Sequence, residues 1–261
     1  MASLHHLDTG AGAPLVFLHG FCADHRVWEA IAPPLAKRFR VIAPDLPGCG
    51  RSALLADNDI AAMADAVVQL LDLLHLEKVV LFGHSMGGYV ALELAARYPQ
   101  RLRALGLLHT HPYARLSDEE PRLRARSIAF MERYGTALFV KQLIPTLFAP
   151  TYSDRVTIEK LSYRALRGPA AGIIACQRAM LHRADHRDTL RHLGKPVLQI
   201  HGAADGVIPP ATTEAMSVLP ADGTVHWLPR VGHSGMLEQP RTLVQQIRNW
   251  LDSLPESESP K

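Results

Sequence analysis

The chain has 261 residues, of which 48% are hydrophobic and 20% are charged, and its formal net charge at pH 7 is +3. These values are typical of a globular protein, and the small positive charge is not gathered into a basic stripe with interleaved aromatic residues, which argues against a nucleic-acid partner. The sequence has no apolar run of 18 residues and does not begin like a signal peptide, so we expect a cytoplasmic protein with no membrane partner.

Short apolar runs alternate with segments of helical periodicity along most of the chain. This pattern predicts the α/β class, with a mostly parallel, twisted sheet covered by helices on both faces. The predicted strands are residues 3–7 (the weakest), 15–18, 40–43, 78–82, 102–108, 196–201 and 224–228. The predicted helices of this part are residues 24–37, 58–74, 86–98, 211–218 and 239–254, and residues 255–261 form a polar tail.

The alternation stops between residues 112 and 193, where no strand is predicted. The interval contains four amphipathic segments, at residues 122–134, 138–143, 153–166 and 170–182. About 80 residues is too long for a simple connection. We therefore predict a core domain of residues 1–111 and 194–261, with a helical cap of residues 112–193 inserted over the carboxyl edge of the sheet, where open α/β sheets bind ligands.

The segment Gly83-His84-Ser85-Met86-Gly87 lies between a predicted strand and a predicted helix. A strand that turns into a helix within one residue forces an unfavourable φ on the central residue and leaves little room for neighbouring side chains, so glycines suit the flanking positions. Strand, glycine-flanked serine and helix form the nucleophile elbow of serine hydrolases. We predict Ser85 as a nucleophile, and the Met86 amide at the helix N-terminus as a donor to a developing oxyanion.

A serine hydroxyl needs a base, and His233 is the candidate because it lies in a glycine-flanked loop between the last strand and the last helix. Asp205 follows the strand at residues 196–201 and completes the order serine, aspartate, histidine found in this kind of hydrolase. Glu238 is the alternative acid, but its position suits the first turn of a helix. Asp222 precedes a glycine and suits a turn.

Three further positions are candidates for contacts with the reacting group or the substrate. Gly20 follows the strand at residues 15–18 and lets the chain bend, so the Phe21 amide is predicted as the second oxyanion donor. Phe21, His109 and Phe148 are candidate substrate contacts. A hydrogen-bonded structural role for His109 and ordinary core packing for Phe148 are the alternatives.

No metal and no cofactor are predicted. The glycine-rich segment at residues 45–52 lacks the Lys-Ser/Thr ending of a phosphate loop, and Pro47 removes an amide that a phosphate would use. His182 and His186 have the i, i+4 spacing of a helix but lack the third ligand and the glutamate of a zinc helix. Cys22, Cys49 and Cys176 match neither a metal site nor a disulfide framework.

With these residues in place, the chain resembles the α/β-hydrolase superfamily over essentially its full length. The segments that support the resemblance are residues 19–21, 45–52, 83–88, 202–205 and 232–233. Within the superfamily the chain looks most like small capped serine carboxylesterases. The resemblance implies an eight-stranded core under a helical lid, a Ser-His-Asp triad and no cofactor, although the short N-terminus leaves the first strand of that pattern in question. Serine at position 85 excludes the dehalogenase and epoxide hydrolase relatives, which have aspartate there.

We therefore expect a serine hydrolase that cleaves carboxylic esters of small or medium substrates through an acyl-enzyme. Carbon–carbon bond hydrolases, lactonases, thioesterases and cofactor-free perhydrolases share the serine and stay open as alternatives. A receptor-like ligand-binding module with little turnover is the alternative from another class. The expected partner is a small-molecule ester, in a monomer or a small homo-oligomer, and the basic balance of the cap slightly favours an anionic acid portion.

Overall fold

The computed structural model describes residues 4–255, and its centre is one seven-stranded sheet. The strands are β1 (His6–Thr9), β2 (Pro14–Leu18), β3 (Arg40–Pro44), β4 (Val79–His84), β5 (Leu102–Leu108), β6 (Val197–Gly202) and β7 (Gly223–Leu228). Their order in the sheet is β1-β3-β2-β4-β5-β6-β7. Only the β1–β3 pair is antiparallel, so the predicted mostly parallel sheet is confirmed. The eighth strand implied by the resemblance is not found within residues 4–255.

The strand register brings the predicted site residues to one edge of the sheet. Leu18 of β2 pairs with Gly83 of β4, and His84 pairs with Leu108 of β5. The residues that follow these strands therefore leave the sheet side by side at its carboxyl edge. Ser85 and His109 are two of them.

Helices cover both faces of the sheet. They are α1 (Ala32–Leu35), α2 (Ile60–Leu73), α3 (Met86–Arg97), α9 (Pro210–Ser217), α10 (Gly235–Glu238) and α11 (Pro240–Ser253), with two 3₁₀ helices at His25–Trp28 and Pro99–Arg101. Alternate side chains of a strand point to opposite faces. Accordingly Leu81 packs in the cluster under α2 and α3, whereas Phe82 stacks on Phe17 at 4.6 Å and meets Trp250 of α11. No helix within residues 4–255 is both long enough and apolar enough to cross a membrane.

The predicted helix at residues 24–37 is wrong. The structure has the short 3₁₀ helix and then α1 in its place. The Asp24 side chain caps the first of these turns by accepting the Arg26 amide at 2.9 Å. Pro33 and Pro34 have no amide hydrogen, so they fit the first turn of a new helix but cannot continue an old one. The chain therefore starts again at Ala32.

Five helices fill the interval between β5 and β6, as the sequence predicted in outline. They are α4 (Glu120–Tyr134), α5 (Thr136–Thr146), α6 (Arg155–Leu166), α7 (Ala170–Leu181) and α8 (Arg187–His192), and no strand is described among them. Residues 183–186 are not helical, so the helical spacing assumed for His182 and His186 is wrong.

Buried His186 instead closes the interval. Its amide donates to the Pro112 carbonyl at 2.7 Å, and its Nε2 lies 3.0 Å from Glu93 of α3. The part of the chain from Pro112 to His186, with α4 to α7, thus begins and ends at one hydrogen bond, and α8 then leads to β6.

Two parts of the sequence predictions lie outside the described residues. These are Ser3, at the start of the weakest predicted strand, and residues 256–261 of the polar tail. Of the other residues of the weakest predicted strand, His6 and Leu7 belong to β1, whereas residues 4 and 5 are not in a strand.

Candidate active site

Ser85 sits on the sharp turn between β4 and α3. Its backbone has φ 51° and ψ −117°, a conformation that side-chain-bearing residues rarely adopt. The Thr110 hydroxyl donates to the Ser85 carbonyl at 2.9 Å and braces the turn. A Cβ added at Gly83 would lie 2.4 Å from the Gly87 carbonyl oxygen, so only glycine fits this close turn. The predicted steric reason for the glycine at position 83 is therefore confirmed.

Ser85, His233 and Asp205 form one chain of hydrogen bonds, although they come from three distant parts of the sequence. The Ser85 Oγ lies 2.9 Å from His233 Nε2. The other ring nitrogen, Nδ1, lies 2.8 Å from Asp205 Oδ2. The second carboxylate oxygen, Oδ1, accepts the amides of Val207 and Ile208 at 2.8 and 3.0 Å.

The surroundings of Asp205 determine which nitrogen of His233 has the proton. Burial on its own would raise the pKa of the Asp205 carboxyl, but the imidazoles of His233 and His109 outweigh burial and hold this pKa well below its usual range. An ionised carboxylate only accepts hydrogen bonds, so His233 must donate from Nδ1. Its Nε2 is then free to accept the Ser85 proton.

Two further contacts position His233, and sequence reasoning missed both. The buried His84 ring donates from Nε2 to the His233 carbonyl at 2.8 Å. The His233 amide donates to the Leu147 carbonyl, just after α5, at 3.0 Å. His84 lies beside the serine in the sequence, but nothing in the local pattern indicates a partner 149 residues away.

Glu238 shapes the loop that holds His233 and does not touch the ring nitrogens. Its carboxylate accepts the Gly232 amide at 3.0 Å and the Ser234 amide at 3.2 Å. It also accepts the Ala149 amide at 3.0 Å, which joins this loop to the helical segment. Asp205, and not Glu238, is therefore the acid that contacts the His233 ring, and Glu238 lies in the single turn of α10, in line with the helical position that its place in the sequence suggested.

The amides of Phe21, on the loop after β2, and of Met86, at the start of α3, belong to the two segments next to Ser85. A Cβ added at Gly20 would lie 3.2 Å from the Ser85 Cβ, so the loop after β2 packs directly against the serine. Met86 is the first residue of α3, where an amide has no acceptor inside the helix. Within residues 4–255 neither amide donates a hydrogen bond to a protein group. Both are therefore available to an oxygen bound at Ser85.

The side chain of His19 holds the loop after β2 in place. Its Nε2 accepts the Leu46 amide at 2.9 Å, so its proton is on Nδ1, which lies 2.8 Å from the Gly20 carbonyl. Burial lowers the pKa of this imidazole, and the neutral form is favoured. His19 thus supports the Gly20–Phe21 turn without adding a charge.

Comparison with known families settles the class of this fold. The family model for the alpha/beta hydrolase fold matches residues 13–240. The chain belongs to this family. The resemblance inferred from the sequence motifs is confirmed.

Relatives of this α/β hydrolase include several esterases. A pimeloyl-[acyl-carrier protein] methyl ester esterase of Aeromonas hydrophila is 29% identical over 93% of this chain and 96% of its own length. The structure of a thermophilic esterase from Thermogutta terrifontis is 35% identical, with a TM-score of 0.92 over 96% of this chain and 93% of that one. An enol-lactonase from Burkholderia xenovorans, at 22% identity and a TM-score of 0.86 over 96% of both chains, shares the fold. The esterases support an ester hydrolase as the general class of the protein.

The three candidate substrate contacts have different surroundings in the hydrolase. Phe21 lines a cavity of about 280 Å³ between the loop after β3 and the α6–α7 region. His109 is fully buried, with its Nδ1 3.8 Å from Asp205 Oδ2. Phe148 is buried and stacks on Tyr152 at 5.2 Å. Only Phe21 of the three is among the residues that line this cavity.

One group within residues 4–255 has the composition and spacing of a metal site, namely His5, His25 and Asp45. The fully buried Asp45 carboxylate already accepts four hydrogen bonds. Oδ1 accepts the His25 amide at 2.8 Å and lies 2.7 Å from its Nδ1, and Oδ2 accepts the Arg51 amide at 2.9 Å and lies 3.0 Å from His5 Nδ1. The group is therefore explained as a hydrogen-bonded clamp that shapes the loop after β3.

Proposed function

We propose that the protein is a serine hydrolase that cleaves carboxylic esters, with Ser85 as nucleophile, His233 as general base and Asp205 as the acid that orients the base. The hydrogen-bond chain from Ser85 through His233 to Asp205 is the observation that supports this most directly. The strained backbone of Ser85 supports it as well, because strain of this kind occurs at functional sites.

The reaction begins with attack of the Ser85 Oγ on the ester carbonyl carbon, while its proton passes to His233 Nε2. The carbonyl oxygen becomes negative and accepts hydrogen bonds from the Phe21 and Met86 amides. The charge on Asp205 stabilises the imidazolium that forms. Collapse of the intermediate breaks the ester C–O bond, and His233 returns its proton to the leaving alcohol.

The second half of the reaction releases the acid. Water gives a proton to His233 Nε2 and attacks the acyl-enzyme carbonyl carbon, with the same two amides on the oxygen. Breakage of the bond to Ser85 Oγ frees the carboxylic acid and restores the serine hydroxyl. No metal and no cofactor take part in these steps.

The helices between β5 and β6 have the role of a lid in this proposal, with residues 112–193 as the cap and residues 1–111 and 194–261 as the catalytic core. The bond from the His233 amide to the Leu147 carbonyl supports this role, since it brings the segment to the base itself. The acyl group then binds between the sheet edge and these helices.

The comparisons suggest which substrates to test first. The Aeromonas hydrophila relative is named for a pimeloyl methyl ester, and the Thermogutta terrifontis esterase was solved with malate bound. Malate and the pimeloyl group both derive from dicarboxylic acids. Monoesters of dicarboxylic acids therefore belong in the substrate range, beside simple short-chain and medium-chain esters.

Turnover of 4-nitrophenyl esters by the Ser85→Ala variant tests the proposal. We expect loss of turnover without loss of folding, and a single fluorophosphonate adduct on the wild-type protein that is absent from the variant by intact mass. Ser127→Ala is the control, because the Ser127 hydroxyl donates to the Leu123 carbonyl within α4 and has no other hydrogen bond in the described part of the chain. Retention of most activity in Ser85→Ala, or no adduct on the wild type, would overturn the assignment. A thioester and a lactone in the same panel identify the bond that is cleaved fastest.

A further inference from the structure

We propose that the cavity beside Phe21 is an acyl-chain subsite that selects esters with a remote carboxylate, held by Arg51 and Arg167. The inference rests on the proposed function, because it places the ester carbonyl at Ser85. It goes further by naming the substrate class and the residues that recognise it. Neither arginine belongs to the hydrogen-bond chain at Ser85.

Phe21 connects the cavity with the reacting group, although Ser85 itself is not among the residues that line the cavity. Gly20 packs against the Ser85 side chain, and the next residue, Phe21, lines the cavity. The lining also includes the loop that follows β3, which is two strands away from β4 in the sheet. Neighbouring strands are about 4.8 Å apart, so this loop lies about 10 Å to the side of the serine strand. An acyl chain that starts at Ser85 can therefore run along the sheet edge into the cavity.

One part of the cavity wall is apolar and uncharged. Ile173 and three buried thiols, of Cys22, Cys49 and Cys176, line it together with Phe21. Burial raises the pKa of the Cys22 thiol, and the contact with Cys176, together with burial, raises the pKa of the Cys49 thiol. The thiols of Cys22 and Cys49 are thus neutral at ordinary pH. Such a wall suits a methylene chain.

Two of the four arginines that line the cavity already have acidic partners. The Arg26 guanidinium pairs with Asp24 at 2.6 Å. The Arg164 guanidinium pairs with Glu29, also at 2.6 Å. The remaining acid of the lining, Asp45, is occupied by its two histidines and two amides. Once these pairs are formed, the two other arginines of the lining have no acidic side chain of the lining to neutralise their charge.

Arg51 and Arg167 supply that charge from opposite walls. Arg51 lies on the loop after β3, and Arg167 follows α6. Both side chains are exposed, and within residues 4–255 neither guanidinium makes an ion pair or a hydrogen bond. The Arg167 guanidinium only lies over the Tyr163 ring, at 5.6 Å from its centroid. Guanidinium groups bind carboxylates through paired N–H···O bonds, so a terminal carboxylate can join the core to the helical segment here.

Two substrates of equal chain length test the selection. They are 4-nitrophenyl hexanoate and mono(4-nitrophenyl) adipate, which differ in the terminal carboxylate. We expect kcat/KM of the adipate ester to fall about tenfold in Arg51→Gln and in Arg167→Gln and up to about a hundredfold in the double variant, because a charge-assisted contact is lost each time. The hexanoate ester should be cleaved equally well by all of them. Arg241→Gln, an exposed arginine of α11, is the matched control.

Binding to Ser85→Ala separates this inference from the proposed function, because it needs no turnover. By calorimetry, adipate should bind more tightly than hexanoate or inorganic phosphate, and the arginine substitutions should remove the difference. If Ser85→Ala still hydrolyses esters but adipate binds through the arginines, the proposed function fails and the anion site stands. If Ser85→Ala is inactive but the arginine variants change both esters equally, or phosphate binds as tightly as adipate, the subsite is refuted.

Discussion

Replacing Asp205 with asparagine is expected to put the wrong nitrogen of His233 opposite Ser85. Asparagine has one acceptor oxygen and one NH₂ donor in place of two acceptor oxygens. In the native site, one oxygen accepts the amides of Val207 and Ile208, and the other faces His233 Nδ1. The asparagine oxygen will stay with the two amides, so its NH₂ will point at Nδ1. His233 must then accept there, with its proton on Nε2 facing the serine.

The loss of activity can be worked out from the hydrogen bonds. To keep the productive tautomer, asparagine would have to flip and leave two amide donors unpaired, at about 1–3 kcal/mol each. Ile208 is buried, whereas Val207 is half exposed and can reach water, so the total is about 2–4 kcal/mol. A free-energy difference of about 1.4 kcal/mol corresponds to a factor of ten, so this cost alone lowers the population of the productive His233 tautomer about 30- to 1,000-fold. Loss of the charge that stabilises the imidazolium adds to it, so we expect kcat to fall at least about 1,000-fold.

The assay is steady-state hydrolysis of 4-nitrophenyl butyrate at pH 7.5, with the folded fraction checked by thermal melting. Asp222→Asn is the matched control, because Asp222 lies in the turn before β7 and uses its backbone carbonyl to accept the Val197 amide. A folded Asp205→Asn variant that loses less than about tenfold in kcat would refute the reasoning about the tautomer.

Two further predictions concern the loop at the serine and the pH dependence of stability. In Gly20→Ala the new Cβ would lie 2.6 Å from His84 Nδ1 and 3.2 Å from the Ser85 Cβ, so we expect kcat to fall at least about tenfold. Gly206→Ala is the control, because the space around its new Cβ is open and its activity should be unchanged. Equal kcat values for the two variants would contradict the prediction. Burial lowers the pKa of His201 to about 3, and neither ring nitrogen has a hydrogen-bond partner among residues 4–255. Between about pH 6.5 and 3 the unfolded chain therefore takes up a proton that the native state does not, and acid destabilises the wild type. We expect the free energy of unfolding of His201→Leu, measured with urea, to rise by about 1.4 kcal/mol relative to that of the wild type for each pH unit between pH 6 and pH 4 as the pH is lowered. A difference between the two free energies that does not change with pH would be contrary to the prediction.

Much of the fold and the members of the candidate site were predictable because their signals are local. Apolar runs and a glycine-flanked serine each occupy a few residues, and the sheet topology brings the ends of parallel strands together. Ser85, Asp205 and His233 were all proposed from such signals, and the structure places them within hydrogen-bond distance. The roles proposed for them follow from chemistry that the experiments above test.

The errors arose where local periodicity competes with backbone chemistry. Residues 24–37 have a helical apolar pattern, but Pro33 and Pro34 have no amides to continue a helix. Residues 183–186 leave the helix because His186 bonds to Pro112 and Glu93, both far away in the sequence. A pattern read over ten or fifteen residues contains no information about such partners.

The contacts that support His233 were out of reach for the same reason. Glu238 collects three amides, one of them from Ala149, 89 residues earlier in the chain. His84 reaches the His233 carbonyl only after the sheet has formed. Sequence spacing indicates which residue types reach the edge of the sheet, but the packed structure determines which of their atoms meet.

The hydrogen bond between the His186 amide and the Pro112 carbonyl has a consequence for how this enzyme class diversifies. Because one hydrogen bond joins Pro112 to His186, the helical segment between them begins and ends at nearly the same place, although Leu147 and Ala149 also bond to the loop that holds His233 and to Glu238. Its length and sequence can change without altering the spacing between β5 and β6. Evolution or design can therefore vary this segment, provided that the bonds from Leu147 to His233 and from Ala149 to Glu238 are kept.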